Sequence, residues 1–184
     1  MRDHEKDLKR ARERWTFRGA DRPPWAVEPS EDQESVWDYP RPPALVADTR
    51  AVRVVCGDVV IAESRSGFRV LETASPPTFY LPPADVRCEL LIPVSGSSDC
   101  EWKGTAAYWA VRAEGRDDSA VAWSYPDPYE DFAAIRDHFG FYPGMLDCYV
   151  DSEQVRAQPG GFYAGWVTSD VVGPFKGEPG TGDW

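Results

Sequence analysis

Prolines and glycines are spread so densely through this chain, 17 and 15 among 184 residues, that a helical bundle is excluded and short strands joined by tight turns are favoured. Hydrophobic residues make up 42% of the sequence, with eight each of Trp, Tyr and Phe. That is enough apolar surface for a substantial core, so global disorder is excluded. The length suits one domain with a short appendage, not a multidomain assembly. The expected fold is mainly β: a compact antiparallel barrel or folded sheet with one α-helix packed on it, preceded by an N-terminal helix and a Pro-rich strap.

The net charge of -11 is unevenly placed. The first 22 residues carry eight basic and five acidic side chains, and the acidic body that follows would repel phosphate backbones and anionic lipid. General nucleic-acid binding and a membrane-surface role are therefore disfavoured. No apolar run approaches the length of a membrane span and no export signal opens the chain, which points to the cytoplasm, where thiols stay reduced. Cys56, Cys88, Cys100 and Cys148 include no Cys-x-x-Cys pair, so no structural metal is expected. No cofactor motif occurs, and the sequence allows a homo-oligomer without specifying one.

Three regions follow from the composition: residues 1–43, residues 44–158 and residues 159–184. In the first, Leu8, Ala11 and Trp15 form a thin apolar stripe on a charged helix over residues 3–17, which docks Trp15 and Phe17 on the body. From Gly19 to Pro43, prolines 23, 24, 29, 40, 42 and 43 forbid helix and central strand, giving an extended strap that buries Trp25, Trp37 and Tyr39. In the second region Val52–Cys56 and Val59–Ser64 flank a Gly57-Asp58 turn suited to type II′. Phe68–Thr73 follows as a strand. Pro76-Pro77 and Pro82-Pro83 bracket a rigid aromatic loop, and further strands run over 86–92, 102–113 and 120–125, the last two joined around Glu114–Asp117. Asp127 as N-cap, Pro128 and Glu130, with Phe132, Ile135 and Phe139 at helical spacing, predict an α-helix ended by Gly140 and Pro143. A hairpin over 145–155 leads into a Gly-rich tail whose Phe162, Tyr163, Trp166 and Phe175 dock on the body, with 180–184 fraying.

The chemistry centres on Lys103. On a continuing strand Lys103, Thr105, Ala107 and Trp109 share one face, with an ammonium in register with an indole and small residues between them. Such a lysine holds an anion, or acts as base or Schiff-base amine if burial lowers its pKa. The bland alternative is a snorkelling lysine covering Trp109. Glu72 alternates with Phe68 and Val70 on a core-like face, so it is an edge, paired or functional carboxylate, either a structural partner or an acid/base partner of Lys103. Tyr80, Tyr108, Trp109, Trp123 and Tyr125 are the candidate walls of a ligand pocket, or plain core. Cys100 is the candidate thiol, with Lys103 nearby to lower its pKa and Glu101 opposing. His138, late in the predicted helix, suits the helix dipole better than catalysis.

Several stretches together resemble a bacterial family, domain-of-unknown-function family 427, which also carries a nucleotidyltransferase-like label. They are Ser35–Pro43, Leu71–Thr73 with Pro76–Pro82, Cys100–Trp109, Ala122–Pro128 and Gly161–Tyr163 through Lys176-Gly177. The resemblance implies a compact antiparallel β fold similar in outline to the Mss4-like arrangement. The family's Cys-Pro-Tyr-Lys-Gly-like segment stands here as Cys100-Glu101-Trp102-Lys103-Gly104, keeping Cys100 and Lys103. Nucleotidyl transfer, which the label suggests, needs clustered acidic metal ligands near a glycine turn, and the sequence offers no such set. The expected function is binding of a small polar or anionic molecule in an aromatic-walled pocket, with or without turnover. The rival is a noncatalytic interaction domain, and thiol chemistry at Cys100 ranks third.

Overall fold

The computed structural model describes residues 2–112 and 119–184; the turn expected at 114–117 lies outside them. The fold is mainly β, with antiparallel pairing dominant and no closed barrel among the described residues. One four-stranded sheet runs in the order Phe139–Phe141, Ala122–Ser124, Gly104–Val111 and Leu91–Cys100. A second joins Glu153–Gln154, Asp147–Val150, Val52–Cys56 and Val59–Ser64. A three-stranded sheet is made by Ala44–Asp48, Gly67–Glu72 and Ser75–Tyr80.

The first hairpin forms at the expected residues. Cys56 opposes Val59 across Gly57-Asp58, and Gly57 has φ +59 while Asp58 stays out of the left-handed region, as a type II′ turn requires. The hairpin over 145–155 forms likewise, with Tyr149 opposite Gln154.

Two expectations are corrected. The Pro76-Pro77 stretch is a strand, not a loop, with Phe79 opposite Arg69 and Tyr80 opposite Phe68. It is the edge of its sheet, where a proline forfeits no central ladder bond. The α-helix expected after Asp127 is a single 3₁₀ stretch, Glu130–Ile135, without a side-chain cap. Phe139–Phe141 is drawn away as a strand pairing with Ala122–Ser124, and Asp137 at φ +58 ends the helical run. Gly140 therefore does not stop a helix: it leaves room for the Trp123 indole, into which a Cβ there would run.

Strand alternation sorts the interior into two apolar clusters on opposite sides of the strands. Phe79, Leu81, Ala122, Phe139, Phe141 and Trp166 join one; Val70, Tyr80, Ala106, Trp123 and Tyr125 join the other. The N-terminal helix, Arg2–Glu13, delivers Trp15 to the second cluster. The strap buries Val36, Trp37 and Tyr39 in a third, with Phe175 and Trp184 from the tail packed on it. Trp25 stays half exposed, its ring 6.3 Å from that of Trp184. The tail is docked through Trp166, whose Nε1 donates to the Phe141 carbonyl at 3.0 Å. Its end is tied back by a hydrogen bond from the Thr16 amide to the Asp183 carbonyl. Phe162 departs from the expected docking and is 81% exposed.

Candidate functional site

A cavity of about 670 Å³ opens on the side of the second cluster. The strand Ser75–Tyr80 turns Thr78 and Tyr80 into it, while Phe79 points the other way to pack on Trp166 at 4.9 Å. The strand Gly67–Glu72 contributes Val70 and Glu72, and Gly104–Val111 contributes Ala106 and Tyr108. Trp123, Tyr125 and Tyr142 complete an aromatic wall. The turn Cys100–Lys103 forms one rim.

Of the residues singled out in the sequence, Glu72, Tyr80, Cys100, Lys103, Tyr108, Trp123 and Tyr125 all border this cavity. Trp109 does not. It lies on the opposite face, its Nε1 donating to Ser124 Oγ at 3.0 Å and its ring 5.6 Å from that of Phe139. The alternation expected from Lys103 to Trp109 fails at Gly104, whose φ of +101 lies in the left-handed region. Lys103 belongs to the turn before the strand, so its side chain reaches the Ala106 and Tyr108 side, out of phase with Trp109.

The turn is clamped by the N-terminal segment. Arg12 Nε donates to the Glu101 carbonyl at 2.7 Å, and Trp15 Nε1 to Glu101 Oε1 at 2.8 Å. The Arg12 guanidinium also lies 5.3 Å from the Trp102 ring. Lys103 Nζ sits 5.9 Å from the ring centroids of both Tyr125 and Phe132 and makes no ion pair with any described carboxylate. Burial works against its charge, but the Cys100 thiol, the Tyr80 and Tyr125 hydroxyls and the Glu72 carboxylate outweigh it and hold its pKa well above the usual lysine value. Lys103 is therefore an ammonium at neutral pH, suited to holding an anion and unsuited to acting as a base.

The tyrosines are the complement of that charge. Trp123 Nε1 donates to Tyr80 Oη at 3.1 Å, the Tyr80 and Tyr125 ring centroids lie 6.2 Å apart, and Tyr108 Oη and Ser98 Oγ are 2.6 Å apart. Burial pushes the pKa of Tyr80 up and that of Tyr125 far up. It takes Tyr142 to about 12, with Tyr108 adding to the rise. The Tyr80, Tyr125 and Tyr142 hydroxyls stay protonated at neutral pH and serve as neutral hydrogen-bonding groups.

Glu72 and Lys103 are not an ion pair. Glu72 Oε1 accepts from Arg41 Nε at 3.0 Å, and the fully buried Arg41 side chain also donates to the Phe17 and Thr73 carbonyls. Cys100 is half-buried. His138 lies outside the cavity lining, its ring 5.7 Å from that of Phe68. The sequence reading missed Arg41, Trp15 and Lys176. The last is a buried lysine in the tail that also borders the cavity, and its only local signal is a cation set among Gly, Pro and Phe.

Among the described residues no group of three or more His, Cys, Asp or Glu side chains could hold a metal ion, and no helix is long and apolar enough to cross a membrane. The fold and cavity define a small mainly-β protein with an aromatic-walled, lysine-bearing hollow. Over residues 44–152 the chain matches the model of the family described as a domain of unknown function (DUF427), and it belongs to that family. No curated protein matches it.

Proposed function

We propose that the chain binds a small anionic molecule in this cavity, with Lys103 as the anchor for its charge and Tyr80, Tyr108, Trp123 and Tyr125 as its walls. The observation that carries the reading is the Lys103 ammonium, which borders a cavity of about 670 Å³ with ring faces around it and no carboxylate of its own among the described residues. A charge so placed is stabilised by an incoming anion that supplies the missing hydrogen bonds. Glu72 takes a supporting part, neutralising Arg41 beside the site. We assign the protein to a reducing compartment, a reading supported by its four free cysteines.

The test is a thermal-shift screen of small carboxylates and phosphates on the wild type and on Lys103→Met, because a ligand stabilises only the protein that binds it. A compound that raises the Tm of the wild type and not of the variant supports the reading. A screen in which no compound separates the two proteins removes it.

Thiol chemistry is the second reading, supported by the position of Cys100 on the rim beside Lys103. A noncatalytic domain is the third; in it the aromatic contacts of Lys103 are simply packing.

A further inference from the structure

The rings of Tyr80, Tyr108, Trp123, Tyr125 and Tyr142 border the cavity, and polar ends of three of them are engaged within the wall. Trp123 Nε1 donates to Tyr80 Oη at 3.1 Å, and Tyr108 Oη pairs with Ser98 Oγ at 2.6 Å. The rings brace one another: Trp123 meets Tyr80 at 90° with centroids 6.0 Å apart, and its centroid lies 4.7 Å from that of Tyr142. What such a wall turns to a guest is ring surface held in a fixed arrangement. A second ring set against it edge-on or offset gains more than its buried area alone contributes.

The cations on the cavity are not equally available. Lys176 Nζ is held by a main-chain oxygen of Trp184 at 3.1 Å, and Arg14 is exposed, its guanidinium 4.2 Å from the Trp15 ring centroid. Lys103 stands among the rings, 5.9 Å from the Tyr125 and Phe132 centroids. At the mouth lies a further ring, Phe162, 81% exposed. It belongs to a short loop closed at its base by Gln158, whose amide donates to the Gly165 carbonyl at 3.1 Å and whose Oε1 accepts from the Gly165 amide at 3.0 Å. Gly160 and Gly161, at φ +85 and +69, turn the chain sharply just before it. A phenylalanine left in water at the edge of a ring-walled hollow gains by covering an apolar guest.

We propose that the ligand of this cavity is an aromatic carboxylate, its acid on the Lys103 ammonium, its ring against Tyr80, Trp123 and Tyr125, and its outer edge covered by Phe162. The inference rests on the reading of the cavity as an anion site and names the class of anion. A volume of about 670 Å³ admits two fused rings. A saturated acid of the same skeleton meets Lys103 equally well and buries as much apolar surface, but it forgoes the ring-to-ring part of the contact. Selection of aromatic over saturated acid is therefore the signature of this site. Binding involves no covalent step.

The experiment is isothermal titration calorimetry of the full chain at neutral pH with 2-naphthoate, its saturated counterpart decahydro-2-naphthoate, and the neutral 2-naphthalenemethanol. 2-Naphthoate is expected to bind at least about fivefold more tightly than the saturated acid, a comparison that needs the wild type alone. It is also expected to bind more tightly than the alcohol, by a margin that disappears in Lys103→Met. Phe162→Ala alters an exposed side chain, so the ligand-free Tm should hold while 2-naphthoate binding weakens about threefold or more. Equal affinity for the two acids overturns the aromatic class and leaves the anion reading standing; no binding of 2-naphthoate overturns the proposal outright. Preference for 2-naphthoate over the saturated acid, with the alcohol bound as tightly and no effect of Lys103→Met, overturns the anion reading instead. Full affinity in Phe162→Ala overturns the part given to that ring.

Discussion

Glu72 and Lys103 border one cavity without being partners: the carboxylate is bound to Arg41 Nε at 3.0 Å, while the ammonium faces the rings of Tyr125 and Phe132. The acid is consumed in holding a buried guanidinium, and the lysine keeps its charge for whatever enters. The two side chains therefore fail differently when altered.

Glu72→Gln leaves Arg41 as an uncompensated buried charge, and the expected loss is about 3 kcal/mol of unfolding free energy. Lys103→Met breaks no ion pair among the described residues and is expected to cost less. Urea denaturation of both variants checks the order; a larger loss for Lys103→Met would place the structural role on the lysine.

The buried tyrosines set the alkaline limit of stability. Tyr142 ionises at about 12 in the native protein against about 10 when unfolded, and Tyr80 and Tyr125 are raised as well. Above pH 10 the unfolded chain loses phenolic protons that the native one keeps, so stability falls. Tyr142→Phe should soften that fall, and phenolate absorbance of the native wild type should lag behind that of the denatured chain.

Asp48, 8% exposed, joins Arg50 Nη2 at 2.8 Å and Arg69 Nε at 2.9 Å. Burial resists its charge, but hydrogen bonds from Arg50 and the charges of both arginines hold its pKa below the usual carboxylate value. The stability it supplies is present above the unfolded aspartate value of about 3.9 and is lost as pH falls toward the lower native one. Asp48→Asn should cost about 2–4 kcal/mol at neutral pH and flatten the acid limb of the stability curve.

The cysteines divide by position. Cys56 and Cys148 are buried, and burial together with Asp147 pushes the Cys148 pKa far up, so neither should react with iodoacetamide in the native state. Cys100 borders the cavity and Cys88 does not. A ligand found by thermal shift should therefore slow alkylation of Cys100 and leave Cys88 unchanged.

Local features were the ones the sequence made readable. The Val52–Ser64 hairpin follows from alternation around Gly57-Asp58, all within reach of one turn. The members of the cavity wall were also readable as aromatic and charged residues on strands, yet the phase of Lys103 was not. One glycine with φ +101 breaks the period between it and Trp109. Edge position explains how Pro76-Pro77 can be strand, and sheet recruitment of Phe139–Phe141 explains why a capping pattern did not yield an α-helix. Both are decided by tertiary partners that no short window contains. Lys176 lay furthest from view, because Trp15 and Arg41, which define its surroundings, come from the opposite end of the chain.

The family match spans residues 44–152, whereas Trp15, Arg41 and Lys176 all fall beyond its limits. Shearing the chain to the matched stretch would keep the Lys103 rim and the tyrosine wall but strip away the Trp15 indole that borders the cavity. The hollow would then become an open trough, with Lys176 gone and Glu72 without its arginine. A truncated core should accordingly be judged as a different receptor from the intact chain.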